Sequence, residues 1–174
     1  MRQYHNHNNK PYFNTQRPWT QAKPIPGHHL NAPTPPEAVT ETDFGPMPFV
    51  IDIEKAAVLN NNYRTALWTG QHLQLTVMSI PVGGDVGLEI HPDNDQFFRI
   101  EQGVGLAQMG AARDYLCFNL PVFADSAVFV PAGTWHNIVN TGNSPLKFYT
   151  IYAPPHHAHG TVHATKEIAE REEG

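Results

Sequence analysis

The chain has a single cysteine in 174 residues, Cys117, so no disulfide within the chain can brace it. The apolar run around that residue, "DYLCFNL", predicts a buried, inert thiol. Clustered cations are also missing: 11 Lys and Arg are scattered among 16 Asp and Glu, for a net charge of −5. That excludes the basic face a nucleic-acid partner requires. No apolar run reaches the roughly 18 residues that suggest a membrane-spanning helix. The N-terminal "MRQYHNHNNK" lacks the apolar core of a secretory signal. These absences together predict a soluble, cytoplasmic protein. A chain of this length can bury one core without disulfide help.

Residues 1–48 are dense in Pro, Asn, His and Gln, and their first 36 residues hold Arg2, Lys10, Arg17 and Lys23 but no acid. "KPIPGHHLNAPTPPEA" cannot form a helix interior or a central strand, because proline removes backbone donors and restricts its neighbours. An irregular N-terminal arm, disordered over at least its first 12 residues, is therefore expected. Its Tyr4, Tyr12, Phe13 and Trp19 would let parts of it pack on the domain or on a partner.

The folded part, residues 49–155, is expected to open with a short helix capped by Asp52 and closed by the Asn run at 60–62. Strand signals then repeat at short intervals: "RTALWTG", "HLQLTVMSI", "VGLEI", "QFFRI", "VGLAQM", "YLCFNL", "SAVFVP", "HNIVNT" and "LKFYTIYA". Each run is short, rich in β-branched and aromatic residues, and bounded by Gly, Pro, Asn or Asp. Evenly spaced strands without long helices between them predict an all-β antiparallel sandwich or barrel. Residues 156–174 form a His-rich segment and a charged tail, in which only "TKEIAEREEG" has a helical pattern.

The stretch "GGDVGLEIHPDNDQFFRIEQGVG" places Glu89, His91 and Gln96 around one polar turn, and "PAGTWHNIVN" adds His136 and Asn140. These two segments resemble the paired motifs of the cupin superfamily. Gly83, Glu89, His91, Gln96 and Gly103 keep the spacing of the first motif, and Pro131, Gly133, His136 and Asn140 that of the second. Glu89 stands where the family has its first His, Gln96 where it has Glu, and Asp125 where the second motif begins with Gly. The resemblance covers residues 63–152 and implies a double-stranded β-helix, a jelly-roll barrel with one metal centre. Residues two apart on a strand share a face, so Glu89 and His91 would both enter the barrel and meet Gln96 and His136.

Two imidazoles, a carboxylate and an amide oxygen suit a divalent Zn, Mn, Fe, Ni or Co ion better than Cu(I). "EIHPDN" also resembles a segment of the mannose-6-phosphate isomerases. In the barrel strands, however, only Arg99 and Lys147 offer a phosphate a partner. The resemblance implies a metalloenzyme with dioxygenase or isomerase chemistry on a small oxygenated molecule, Glu89 being the candidate catalytic residue. The alternative is a non-enzymatic binding or structural cupin tethered to an assembly by its arm.

A small-molecule ligand and a homodimer are the expected partners. Phe98 and Ile100, on the Gln96 face, and Ile138, on the His136 face, should wall a mainly apolar cavity. Trp68 and Trp135 read as core or rim aromatics. His156, His157, His159 and His163 follow no closed zinc spacing and suggest packing or surface roles.

Overall fold

The computed structural model describes residues 42–173. The expectations for residues 1–41 lie outside the described residues. The helix expected after Asp52 is α1 (Ile53–Leu59). The Asp52 side chain accepts a hydrogen bond from Lys55 N at 3.0 Å, satisfying one of the donors a helix start leaves free. At its other end Lys147 Nζ donates to the carbonyls of Val58 and Asn60, at 2.6 and 2.8 Å. Lys147 therefore ties the helix to the barrel wall.

The strands are β1 (Arg64–Thr69), β2 (Gln74–Ile80), β3 (Asp95–Gln102), β4 (Val104–Gly110), β5 (Phe118–Phe123), β6 (Ala127–Val130), β7 (Trp135–Asn140), β8 (Leu146–Ala153) and β9 (Val162–His163). A second helix, α2 (Lys166–Glu173), ends the described chain. All strand pairs are antiparallel. One sheet runs β6-β3-β8-β2-β1-β9 and the other β5-β4-β7. This is the expected double-stranded β-helix.

Alternation sets the inside of the barrel. Along β3, Gln96, Phe98 and Ile100 are buried while Phe97 and Arg99 are only half-buried, the period of two that a one-sided strand requires. Phe98 and Ile100 meet Met78, Ile138, Leu146 and Phe148 in a core between the sheets. Each fully buried side chain of this kind stabilises the fold by about 1.5–3 kcal/mol.

Three expectations need correction. The run "VGLEI" is no regular strand: the backbone of residues 85–89 pairs with β7 only as isolated bridges, Asp85 to Val139 and Glu89 to His136. Gly87, at φ 95°, breaks the extended geometry between them. Cys117 is exposed, because it falls in the connection before β5 rather than in a core-facing position. The packed body also reaches further toward the N-terminus than Pro48. Asp43 is buried and accepts from Thr69 N at 2.9 Å and from Gly160 N at 3.0 Å.

The C-terminal segment is built into the barrel. β9 pairs with β1, Ala169 of α2 joins the core, and Lys166 is ion-paired with Asp85. No helix among the described residues is long and apolar enough to cross a membrane.

Candidate metal centre

Four donor groups from three parts of the chain approach one another inside the barrel. Glu89 arrives on the bridged segment, and His91 from the turn that follows it. Gln96 stands on the inward face of β3, and His136 on β7 opposite Met109. The turn before β7 needs Gly133, whose φ of 74° is the left-handed conformation that suits glycine. Gly133 N donates to His91 O at 2.8 Å, so this turn fixes the positions of both imidazoles.

Glu89 Oε1 lies 3.2 Å from His91 Nε2 and 3.3 Å from His136 Nε2. The ligand atoms of these three residues all fall within 4.8 Å of one another. Gln96 Oε1 is 2.8 Å from His136 Nε2, so the amide oxygen joins the group. The neighbouring hydrogen bonds set which atoms point inward. The Gln96 amide nitrogen sits 3.2 Å from Thr150 Oγ1, which turns Oε1 toward His136. His136 Nδ1 lies 2.9 Å from the Thr134 carbonyl. Donating there gives the ring a tautomer whose Nε2 carries a lone pair. Lone pairs of an imidazole, a carboxylate and an amide then face the same point, where they repel unless a cation or proton lies between them.

Two of these atoms, Glu89 Oε1 and His91 Nε2, are buried and have no hydrogen-bond partner among the described residues. Buried polar atoms are seldom left in that state, and a divalent ion would satisfy both. The donor set therefore fits a metal. Burial by itself would push the Glu89 carboxyl up, but the adjacent His136 and His91 outweigh it and hold the group well below the usual carboxylate range. Glu89 is thus an anion at neutral pH, as a ligand should be.

The cavity expected beside the site differs from the prediction. Phe98, Ile100 and Ile138 are fully packed in the core and buttress the donors, with the Phe98 ring edge-on to His136 at 6.1 Å. The space that reaches Glu89 is a cavity of about 440 Å³ whose lining includes Arg64, Asp85, Arg113, Lys166 and Glu173. It is charged, because residues 85–89 and α2 supply its walls instead of the inward faces of the strands. Arg64 also corrects the reading of Arg99 and Lys147 as the only basic residues well placed in barrel strands. It opens β1, is 2% exposed, and pairs with Glu173 at 2.8 Å.

Sequence reasoning missed three more neighbours of the site. Tyr152 stands directly opposite Gln96 on β8, and its ring meets His91 edge-on at 5.7 Å. Its hydroxyl is buried without a partner, and burial raises its pKa. His156 packs on His91 with ring centroids 4.1 Å apart. Burial first, then His91 and His157, pushes its pKa down to about 4. Glu173 accepts from His157 Nδ1 at 2.6 Å. Tyr152 had a signal in its place on the same alternation as Thr150, and His156 had one in the histidine cluster, which the sequence assigned to packing or surface roles.

His163 and His159 make contacts elsewhere. His163 approaches Glu172 at 3.3 Å, and His159 Nε2 donates to the Gly45 carbonyl at 3.0 Å. Among the described residues, only Glu89, His91 and His136 form a compact donor group of His, Cys and carboxylate atoms.

A double-stranded β-helix carrying such a cluster at these spacings defines a cupin. Residues 76–152 match the family model for the cupin domain, and the chain belongs to the cupin family. It is 61% identical over 127 residues to the uncharacterized protein YrkC of Bacillus subtilis, an alignment covering 73% of this chain and 68% of that protein. A crystal structure of BH2720 from Bacillus halodurans shares 62% identity with a TM-score of 0.74, covering 75% of this chain and 98% of that one. A double-stranded β-helix protein from Klebsiella pneumoniae, at 14% identity and TM-score 0.53 over 68% of this chain and all of that one, shares the fold alone.

Proposed function

We propose that this cupin binds one divalent transition metal through Glu89, His91 and His136, with Gln96 Oε1 as a fourth donor, and acts as a metalloenzyme on a small oxygenated organic molecule. The observation that carries the reading is the pair of buried, unpartnered donor atoms, Glu89 Oε1 and His91 Nε2, facing the Nε2 of His136. Two neutral imidazoles with one carboxylate favour Zn, Mn, Fe, Ni or Co. Such an ion supplies Lewis acidity toward a substrate oxygen.

The chain does the rest. Glu89, the most accessible of the three at 24% side-chain exposure, lines the cavity and would be the anionic ligand that holds the ion beside a bound substrate. Thr150 and Thr134 hold the donors Gln96 and His136 in orientation. Dioxygenase and isomerase chemistry both suit this arrangement. Elemental analysis of untagged protein tests the metal reading, with close to one equivalent expected; less than about a tenth of an equivalent would refute it. Oxygen-consumption and aldose–ketose assays on the loaded protein then separate the two reaction classes.

We also propose that the chain pairs with a second copy. The open edge between β5 and β6 leaves an apolar cleft of about 410 Å³, lined in part by Phe118, Leu120 and Phe129. These three side chains are exposed, a cost that a covering copy would remove. Sedimentation equilibrium should show a dimer that Leu120→Asp dissociates. A monomeric wild type would end this reading.

A further inference from the structure

The cavity beside the donor cluster is lined by three cations and four carboxylates, and most of these cancel locally. Lys166 is paired with Asp85 and approaches Glu170 at 3.8 Å. Arg64 gives one nitrogen to Glu173, and Glu89 faces the two imidazoles. Arg113 stands apart. No carboxylate pairs with it among the described residues, and its guanidinium lies over the Trp135 ring, 5.7 Å from the centroid. Arg113 itself lines the cavity that reaches Glu89.

A second observation concerns Arg64. Its side chain is 2% exposed, yet its Nε–H has no acceptor within the described residues. A buried charged donor without an acceptor is costly to keep. Once a divalent ion sits at the cluster, the lining of this cavity changes from net negative to net positive. The one cation of the lining without a protein carboxylate beside it among the described residues is then the Arg113 fork.

We propose that the cavity takes a small carboxylic acid, with Arg113 as the residue that selects for its carboxylate, and the acid's other oxygens directed toward Glu89 and its partners. The planar guanidinium suits a carboxylate, which can accept two parallel hydrogen bonds from it. A volume near 440 Å³ lies within the range of small-molecule sites. The assignment rests on the metal reading above, and it excludes neutral sugars as preferred ligands.

The test uses the full chain loaded with Co(II), after its cobalt content has been measured. The probes are alkyl hydroxamic acids of graded length, which chelate divalent metals, each bearing either a terminal carboxylate or the isosteric neutral amide. Dissociation constants are read from the visible spectrum of the cobalt. At one or more chain lengths the carboxylate should bind about tenfold more tightly than its amide. Arg113→Ala should abolish that preference without changing cobalt content, and Arg113→Lys should retain part of it.

Equal binding of the two probes at every length, the same preference in Arg113→Ala, or binding of neither probe to cobalt-loaded protein would overturn the ligand assignment while leaving the metal centre standing. Failure to hold cobalt or any of Zn, Mn, Fe and Ni would overturn the metal centre itself, and this inference with it.

Discussion

Glu89 is the residue on which the chemistry turns, because it supplies the only carboxylate in the donor group and also faces the cavity. Glu89→Gln keeps the shape and removes the charge. The variant should melt within a few degrees of wild type, hold its metal much more weakly, and lose turnover; full activity would remove Glu89 from the mechanism. Thr150 is a subtler case. It is fully buried and fixes the amide of Gln96. Thr150→Val should weaken metal affinity roughly 10-fold, in the range usual for groups that orient a ligand, with no change of metal stoichiometry at saturation. Titration calorimetry reads both quantities, and unaltered affinity would show that Gln96 is no donor.

At the scale of elements, α2 and the segment 85–89 matter more to the site than their irregular sequence suggests. The helix closes one side of the cavity and is anchored by Glu173, which pairs with Arg64 at 2.8 Å and His157 at 2.6 Å. Removing one partner of a buried ion pair usually costs several kcal/mol. Glu173 is 37% exposed, so water screens the pair and the expected loss for Glu173→Gln falls to about 1–2 kcal/mol. Denaturant unfolding measures this, and a change below a few tenths of a kcal/mol would mean that α2 is held by Ala169 and Lys166 alone.

The Glu173 contacts also set a pH window for the molecule as a whole. Burial raises the Glu173 pKa, but His157 and Arg64 outweigh it and hold the carboxyl down at about 2, against an ordinary 4.5. A lowered carboxylate stabilises the fold fully above its unfolded pKa, and that contribution disappears as pH falls through the folded one. The stability gap between wild type and Glu173→Gln should therefore close as pH drops from about 4.5 toward 2. Melting curves of both proteins across that range give the answer, and a gap that persists at the acid end would contradict it. Metal should act on the whole molecule too. An ion that binds only the folded state adds about 2.7 kcal/mol when its free concentration is 100 times its dissociation constant, so the melting temperature should rise on loading and return to its starting value with chelator.

The barrel itself was legible in the sequence, because short alternating runs such as "QFFRI" determine which side chains face inward regardless of what lies across the core. Asp52 marked α1, and the spacing of Glu89, His91, Gln96 and His136 marked a candidate cluster. The tertiary structure decided which atoms of these residues meet, since that depends on Thr150 and Thr134, remote or inconspicuous in the chain. It also decided the character of the cavity. Arg64 and Glu173 lie 109 positions apart, and nothing in local periodicity indicates that a buried guanidinium at the start of one strand will meet a carboxylate at the end of the last helix. Periodicity records the contrast between inside and outside, whereas a binding site depends on contacts between distant residues that only the folded chain brings together.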